Sequence, residues 1–514
     1  MADSTTANNK RIAKNTLFLY FRMALMMLVS LYTSRVILQV LGVEDYGIYN
    51  VVGGVVSLFA IISGSLSTAT QRFITFGLGK NDIGYLNRVF STSIYVHIAM
   101  ALFILLLAET LGLWFFEHKL QIPDDRINAA FWVYQSAVIA SVFMIISIPY
   151  NATIIAHEKM GTFAVVSLLE AFGKLGIVYL LMLFSCDKLI LYAVLLVVIQ
   201  ILVASCYYIY CRRNFRETKI QYVKDTGLLK EITSFASWSL MGNAAYISYT
   251  QGLNILLNTF FGPVVNASRG IAVQVQSAIH QFVTGFQTAI NPQIVKSYAS
   301  GDLSYMHELM FRSARFSFYL LFTVSLPILI ETPIVLKLWL TTVPEYTVVF
   351  LRLIIITTWI NSLANPLIIG VKATGRVKLY ETVVGCIMLL ILPVSYLFLS
   401  FGYPPYIVFV VHLFMEILAH VARVYIAGYL VKFKPNAFLS KVVMQTVLVS
   451  LVAIAIPVTY YNLSIESIVR FLIMSFLSLL CSVVSIYFIG LTNSERKMLH
   501  TVWSKIISRI RIGG

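Results

Sequence analysis

His412, Glu416, His420 and Arg423 recur at i, i+4, i+8 and i+11 within one apolar run, a spacing that lines all four along one stripe of a helix. A carboxylate among imidazoles at membrane depth can carry a proton. The same stripe also fits a polar seam satisfied between neighbouring helices. Glu170 and Lys174, four apart and near the middle of another run, predict a buried ion pair, either structural or part of coupling to an H+ or Na+ gradient. Arg22 and Arg35 share the first run but lie 13 residues apart, about 140° around a helix, so at most one points squarely into a common interior. Each is near enough to an end to snorkel, as is Arg269 near the end of a later run.

Three runs carry polar stripes. Ser277, His280, Gln281, Thr284, Gln287, Thr288 and Asn291 form one; Ser57, Gly64, Thr68 and Gln71 a second; Asn243, Tyr246, Thr250, Asn254 and Asn258 a third. In a bilayer such stripes must face protein or water; packing by small and amide side chains accounts for them, and so does a shared hydrated cavity. His97 stands alone and reads as a satisfied structural histidine. The sequence has no Gly-rich phosphate loop, GxSxG elbow, HExxH or DxD cluster. Five cysteines are scattered without metal-ligand spacing. The expectation is a protein that is not an enzyme and has no cofactor or metal.

The elements that position these groups follow from composition. Of 514 residues 59% are apolar and 12% charged, and mean hydropathy is +0.83, against about 45–50% apolar and about 25% charged in soluble domains. An all-α polytopic membrane protein is predicted, with fourteen spans, numbered in order, at about 15–41, 47–70, 89–116, 128–155, 163–185, 189–211, 232–260, 265–290, 313–340, 347–371, 380–402, 405–431, 442–461 and 467–491, and turn residues such as Gly42, Gly262-Pro263 and Pro404-Pro405 at their ends. With the N-terminus (1–14) placed in the cytoplasm, 27 of the 38 Lys and Arg fall in segments on that face and 4 on the other. This is a positive-inside pattern, and it puts both termini in the cytoplasm. The charge of +16 is thus orientation rather than a nucleic-acid footprint.

Residues 15–211 form a first lobe of six spans, 212–231 a basic cytoplasmic loop, 232–431 a second lobe of six, and 442–491 two further spans. Residues 494–514 place Leu499, Val502, Trp503, Ile506 and Ile510 on one helical face, suited to the inner leaflet. Sliding the chain along itself without gaps superposes, at one offset, Gly42 on Gly262, Val55 on Val275, Ser57 on Ser277, Thr68 on Thr288 and Asp82 on Asp302. At a similar offset Pro149 falls on Pro366 and Ala156 on Ala373. Two parallel six-helix repeats are a transporter plan with alternating access around a site between the halves.

The stretches NTLFLYFRM (15–23), SLYTSRVILQVLGVEDYGIYNVVGGVV (30–56) and STATQRFITFGLGKND (67–82) resemble the N-terminus of bacterial Wzx-type polysaccharide (O-antigen) flippases of the MOP exporter superfamily. The resemblance implies two V-shaped lobes in the bacterial inner membrane, with a cavity lined by spans 1, 2, 7 and 8. It implies an undecaprenyl-diphosphate-linked oligosaccharide moved from the cytoplasmic to the periplasmic leaflet, coupled to an ion gradient, with membrane lipids, a polysaccharide polymerase and chain-length proteins as partners. Arg22, Arg35 and Arg269 are then the candidates for the diphosphate, and Asn243, Asn254, Gln281 and Gln287 for the sugar. The ion-coupling candidates are Glu170, Lys174, His412, Glu416 and His420. A drug or cation antiporter of the same superfamily would need acidic sites in spans 1, 2, 7 and 8, which hold basic and neutral polar residues instead. A polymerase-type enzyme would need a large periplasmic loop, and no loop exceeds about 25 residues.

Overall fold

The computed structural model describes residues 15–26, 28–30, 32–33, 36–37, 39–42, 45, 48–49, 52, 60–119, 122–184, 186–222, 225–340, 343–493 and 495–496. Arg35, the N-terminal segment 1–14 and most of the amphipathic tail lie outside them. Among the described residues there is no strand. The helices used below are α1 (Ala60–Lys80), α2 (Ile83–Leu107), α3 (Ile127–Ala156), α4 (Met160–Leu180), α5 (Lys188–Asn214), α6 (Thr226–Phe261), α7 (Pro263–Ala299) and α8 (Leu303–Ile330). They continue with α9 (Thr332–Trp339), α10 (Thr347–Ser362), α11 (Ala364–Thr374), α12 (Lys378–Leu389), α13 (Ile391–Ser400), α14 (Ile407–Val431), α15 (Met444–Leu463) and α16 (Ile468–Ser485).

Ten helical stretches among the described residues are long and apolar enough to cross a membrane. The helices at expected spans 2, 7 and 8 form as well, but their amides and hydroxyls keep them out of the ten. At 36 and 37 residues, α6 and α7 run roughly 54–56 Å, well beyond a hydrocarbon core of about 30 Å. Two expected spans are broken. Span 10 divides into α10 and α11 before Asn365-Pro366, and span 11 into α12 and α13 before Pro393, because a proline has no N–H for the carbonyl four residues back.

The repeat is visible in the backbone. Gly42 and Gly262 both have positive φ (82° and 78°), as do Asn81 and Gly301 (56° and 79°). After α1, Asn81 N–H donates to Leu78 O (3.3 Å) and Asp82 N–H to Gly77 O (3.4 Å). After α7, Gly301 N–H donates to Tyr298 O (3.1 Å) and Asp302 N–H to Ser297 O (3.0 Å). All of these pairs share the offset that sets Gly42 on Gly262, and each turn closes its helix by the same Schellman pattern. At the ends of α3 and α11, Glu158 (φ 59°) and Gly375 (φ 77°) repeat the relation at a slightly shorter offset.

The chain divides into two compact units. The first holds the described residues up to Ala244 with Thr288–Leu303 and Lys372–Thr382; the second holds Ala245–Gln287, Ser304–Val371 and the described residues from Val383 onward. In the first, α3 packs on α5, α1 and α2 around Tyr134, Val133, Ala108 and Leu189. In the second, α10 packs on α14 and α15 on α16, with Phe318, Phe322 and Trp359 clustered at 5.0–6.3 Å. Buried ion pairs tie the last two spans into this unit: Arg470 with Glu331 (2.9 Å) and Arg315 with Glu495 (2.7 Å).

Candidate functional site

The second unit contains a chamber of about 710 Å³ walled by α6, α7, α10 and α14. Tyr246, Tyr249, Thr250 and Asn254 enter from α6, and Arg269, Gln276, Ser277, His280, Gln281 and Thr284 from α7. Thr357, Thr358 and Asn361 come from α10, and His412 and Glu416 from α14. Each group recurs at three- to four-residue spacing, so each helix turns one polar face inward. The expected cavity drew on spans 1, 2, 7 and 8; this one draws on spans 7, 8, 10 and 12.

Arg269 is the centre of the chamber's electrostatics. It is 8% exposed. One Nη donates to Asn254 Oδ1 and the other to Thr250 O (2.9 Å), both on α6, while its Nε has no partner. No carboxylate lies within ion-pair distance of it among the described residues. The chamber's only acid among those residues, Glu416, is buried and engaged: Oε1 accepts from Asn361 Nδ2 (3.0 Å) and from Arg423 Nη1 (2.5 Å). The lining therefore presents one positive charge without a paired carboxylate, amid amides, hydroxyls and the rings of Tyr249 and His412, whose centroids are 5.3 Å apart.

The other expected residues scatter. Asn254, Gln281, His412 and Glu416 join Arg269 in the chamber. Asn243 is in the first unit, donating to Ser65 Oγ (2.8 Å). Gln287 is buried away from the chamber, donating to Ser317 Oγ and Ser362 O. His420 packs on Phe438 rather than on the cavity, because the stripe on α14 turns away behind Glu416. Arg22 sits over the Phe163 ring (4.6 Å) and donates to Ser167 Oγ (3.3 Å) within the first unit. Glu170 and Lys174 do pair, at 2.6 Å, but at 31% and 44% exposure. The expectation of a buried pair is not met, since that face of α4 is only partly covered. His97 is buried and hydrogen-bonded to Ser93 O (2.7 Å). Thr357, Thr358 and Asn361 are absent from the sequence-based expectation, although their i, i+1, i+4 spacing in an apolar run is a legible stripe.

No family model and no curated protein matches the chain. Solved structures do match its fold. A multidrug resistance MATE family transporter of the MOP superfamily, captured outward-facing, superposes with a TM-score of 0.70 over 83% of this chain and 96% of its own, at 13% identity. MATE in the bent conformation gives 0.72 over the same shares at 12% identity. A MOP superfamily transporter from Pyrococcus furiosus, described as having a binding pocket of reversed polarity that suggests a different function, gives 0.65 over 84% and 96% at 12% identity. The chain is a multi-pass membrane protein with the fold of MATE transporters.

Proposed function

We propose that the chain exports a lipid-linked oligosaccharide carrying a diphosphate, taking it from the basic, cytoplasmic face of the bacterial inner membrane to the opposite leaflet by alternating access. The observation that carries this reading is Arg269, a buried guanidinium without a carboxylate partner among the described residues, in a polar chamber whose Glu416 is already paired with Arg423. A charge in that setting is costly unless an anion meets it, and a guanidinium suits phosphate oxygens. Asn254 and Thr250 fix its plane, leaving the Nε–H as an unused donor. The amides, hydroxyls and aromatic faces around it are the groups that bind sugars. His412 and Glu416 supply titratable groups on the wall for proton coupling.

An organic-cation exporter of the same fold is disfavoured by the sign of the chamber, because its one carboxylate already accepts from Arg423. Depleting the protein and labelling lipid-linked repeat units leaflet by leaflet tests the reading. Build-up in the cytoplasmic leaflet supports it; unchanged distribution, with drug extrusion lost instead, overturns it in favour of the cation exporter.

A further inference from the structure

Arg72 and Glu158 each lie buried near a helix end, and each reaches a helix distant in sequence. Arg72, on α1, is 6% exposed. Its Nε donates to Lys372 O (3.1 Å) and its Nη2 to Ala373 O (3.0 Å), the last carbonyls of α11, where orphan acceptors and the helix dipole favour a cation. Phe73 and Phe76 flank the guanidinium at 4.4 and 4.9 Å. Gly375 makes room for it, since a Cβ there would stand 2.8 Å from Nη2. Glu158, just past α3, is 3% exposed; Oε1 accepts from Lys296 Nζ (2.6 Å) and Oε2 from Gln293 Nε2 (2.7 Å), both on α7.

These two ties are mates under the repeat. The end of α1 corresponds to that of α7, and the end of α3 to that of α11. Arg72 joins α1 to α11; Lys296 and Gln293 join α7 to α3. Arg72, Lys372 and Ala373 of one tie and Glu158, Gln293 and Lys296 of the other all belong to the first unit. Between the two ties α1 and α7 nearly touch: a Cβ on Gly79 would stand 2.6 Å from Ala299 Cβ and 2.7 Å from Lys296 O.

We infer that the Arg72 and Glu158 ties form a paired latch that shuts the basic end of the helices in this state and is released as a pair when that end opens. The inference rests on the alternating-access reading above. Breaking one tie takes the two α11 carbonyls from Arg72, leaving it the long contact to the exposed Glu231 on α6 (3.9 Å), and breaking the other takes Lys296 and Gln293 from Glu158, so closure is favoured while both hold. Opening rehydrates Arg72 and Glu158 at the same moment, and that makes release concerted. The chemistry of the two ties differs, a guanidinium on carbonyls against a carboxylate on an ammonium and an amide, so a substitution in one leaves the other intact.

The test uses the full chain with its five cysteines replaced by serine and Ser297→Cys as reporter, in membrane vesicles. Ser297 is 6% exposed, follows Lys296 in the chain and donates to Gln293 O (2.9 Å). The readout is its rate of reaction with N-ethylmaleimide. Glu158→Gln and Arg72→Gln should each raise that rate on the order of tenfold, the weight of a lost charge-assisted hydrogen bond, and the double variant should exceed both. Gly79→Ala, which removes no charge but wedges the close approach, should raise it too and serves if the charge variants fail to fold. Background rates in Gly79→Ala and in every folded charge variant would make the ties permanent braces and overturn the latch. Because labelling needs no substrate, this outcome is independent of whether the exported molecule is a glycan.

Discussion

Arg423 donates from Nη1 to Oε1 of Glu416 at 2.5 Å, two turns away on the same helix, with both side chains buried. The carboxylate facing the chamber is therefore neutralised from behind by a guanidinium that the chamber does not touch. With Arg269 on the wall, this relationship makes the chamber net positive among the described residues.

Removing one partner of such a pair strands the other. Arg423→Met should lower the thermal midpoint in detergent by an amount equivalent to about 3 kcal/mol, whereas Glu416→Met with Arg423→Met should recover most of it. A double variant no more stable than Arg423→Met alone would show that the two charges do not act as a pair.

Arg269→Ala should weaken export roughly ten- to a hundredfold, the value of one or two charge-assisted hydrogen bonds to phosphate. Arg269→Lys should restore only part, since an ammonium keeps the charge but cannot hold Asn254 and Thr250 together. Surface polysaccharide at controlled expression is the measure; full export by Arg269→Ala would move the anion site elsewhere.

Tyr134 donates to Ala108 O (2.7 Å) at the start of a π-helical turn, Ala108–Gly112, and a Cβ at Gly112 would collide with the same hydroxyl. Gly112→Ala should therefore destabilise by about 1–3 kcal/mol, the range for overpacking. Gly112→Ala with Tyr134→Phe should regain most of the loss, read as the thermal midpoint; no regain would place the strain in the turn rather than at the hydroxyl.

Glu217, in the loop after α5, is pushed up by burial, but the hydrogen bond from His157, a backbone hydrogen bond and attraction to the His157 ring together outweigh this and hold its carboxyl below the ordinary 4.5. A group depressed in the folded state adds stability that is present above its unfolded value and disappears as pH falls through the folded one. The thermal midpoint should accordingly drop on acidification below about pH 4.5, and Glu217→Gln should flatten the part of that drop due to this group. An identical acid profile in Glu217→Gln would remove the His157 contact from the account.

Much of this architecture is legible one residue at a time. Membrane spans, the basic face and the internal repeat are local or periodic properties, and Gly42 with Gly262 or Asp82 with Asp302 can be matched without knowing what they touch. The chamber's α6 and α7 walls are legible for the same reason: Asn254, Arg269 and Gln281 stand on stripes that lipid cannot accept.

What the stripes face is a different matter, because it depends on how helices far apart in sequence pack. Asn243 and Gln287 sit on the expected stripes yet bond to Ser65 and Ser317, while Thr357 and Asn361 enter the chamber from a run that looks apolar. Glu416 and Arg423 are legible as members of one stripe, but Asn361, which donates to the same carboxylate oxygen, comes from another helix. Arg72 counts as one more cation on the basic face, and only the arrival of α11, 300 residues later, turns it into a buried cap. A side chain's type and period are written in its own helix; its partner, and with it the sign of its surroundings, is set by the helix that packs against it.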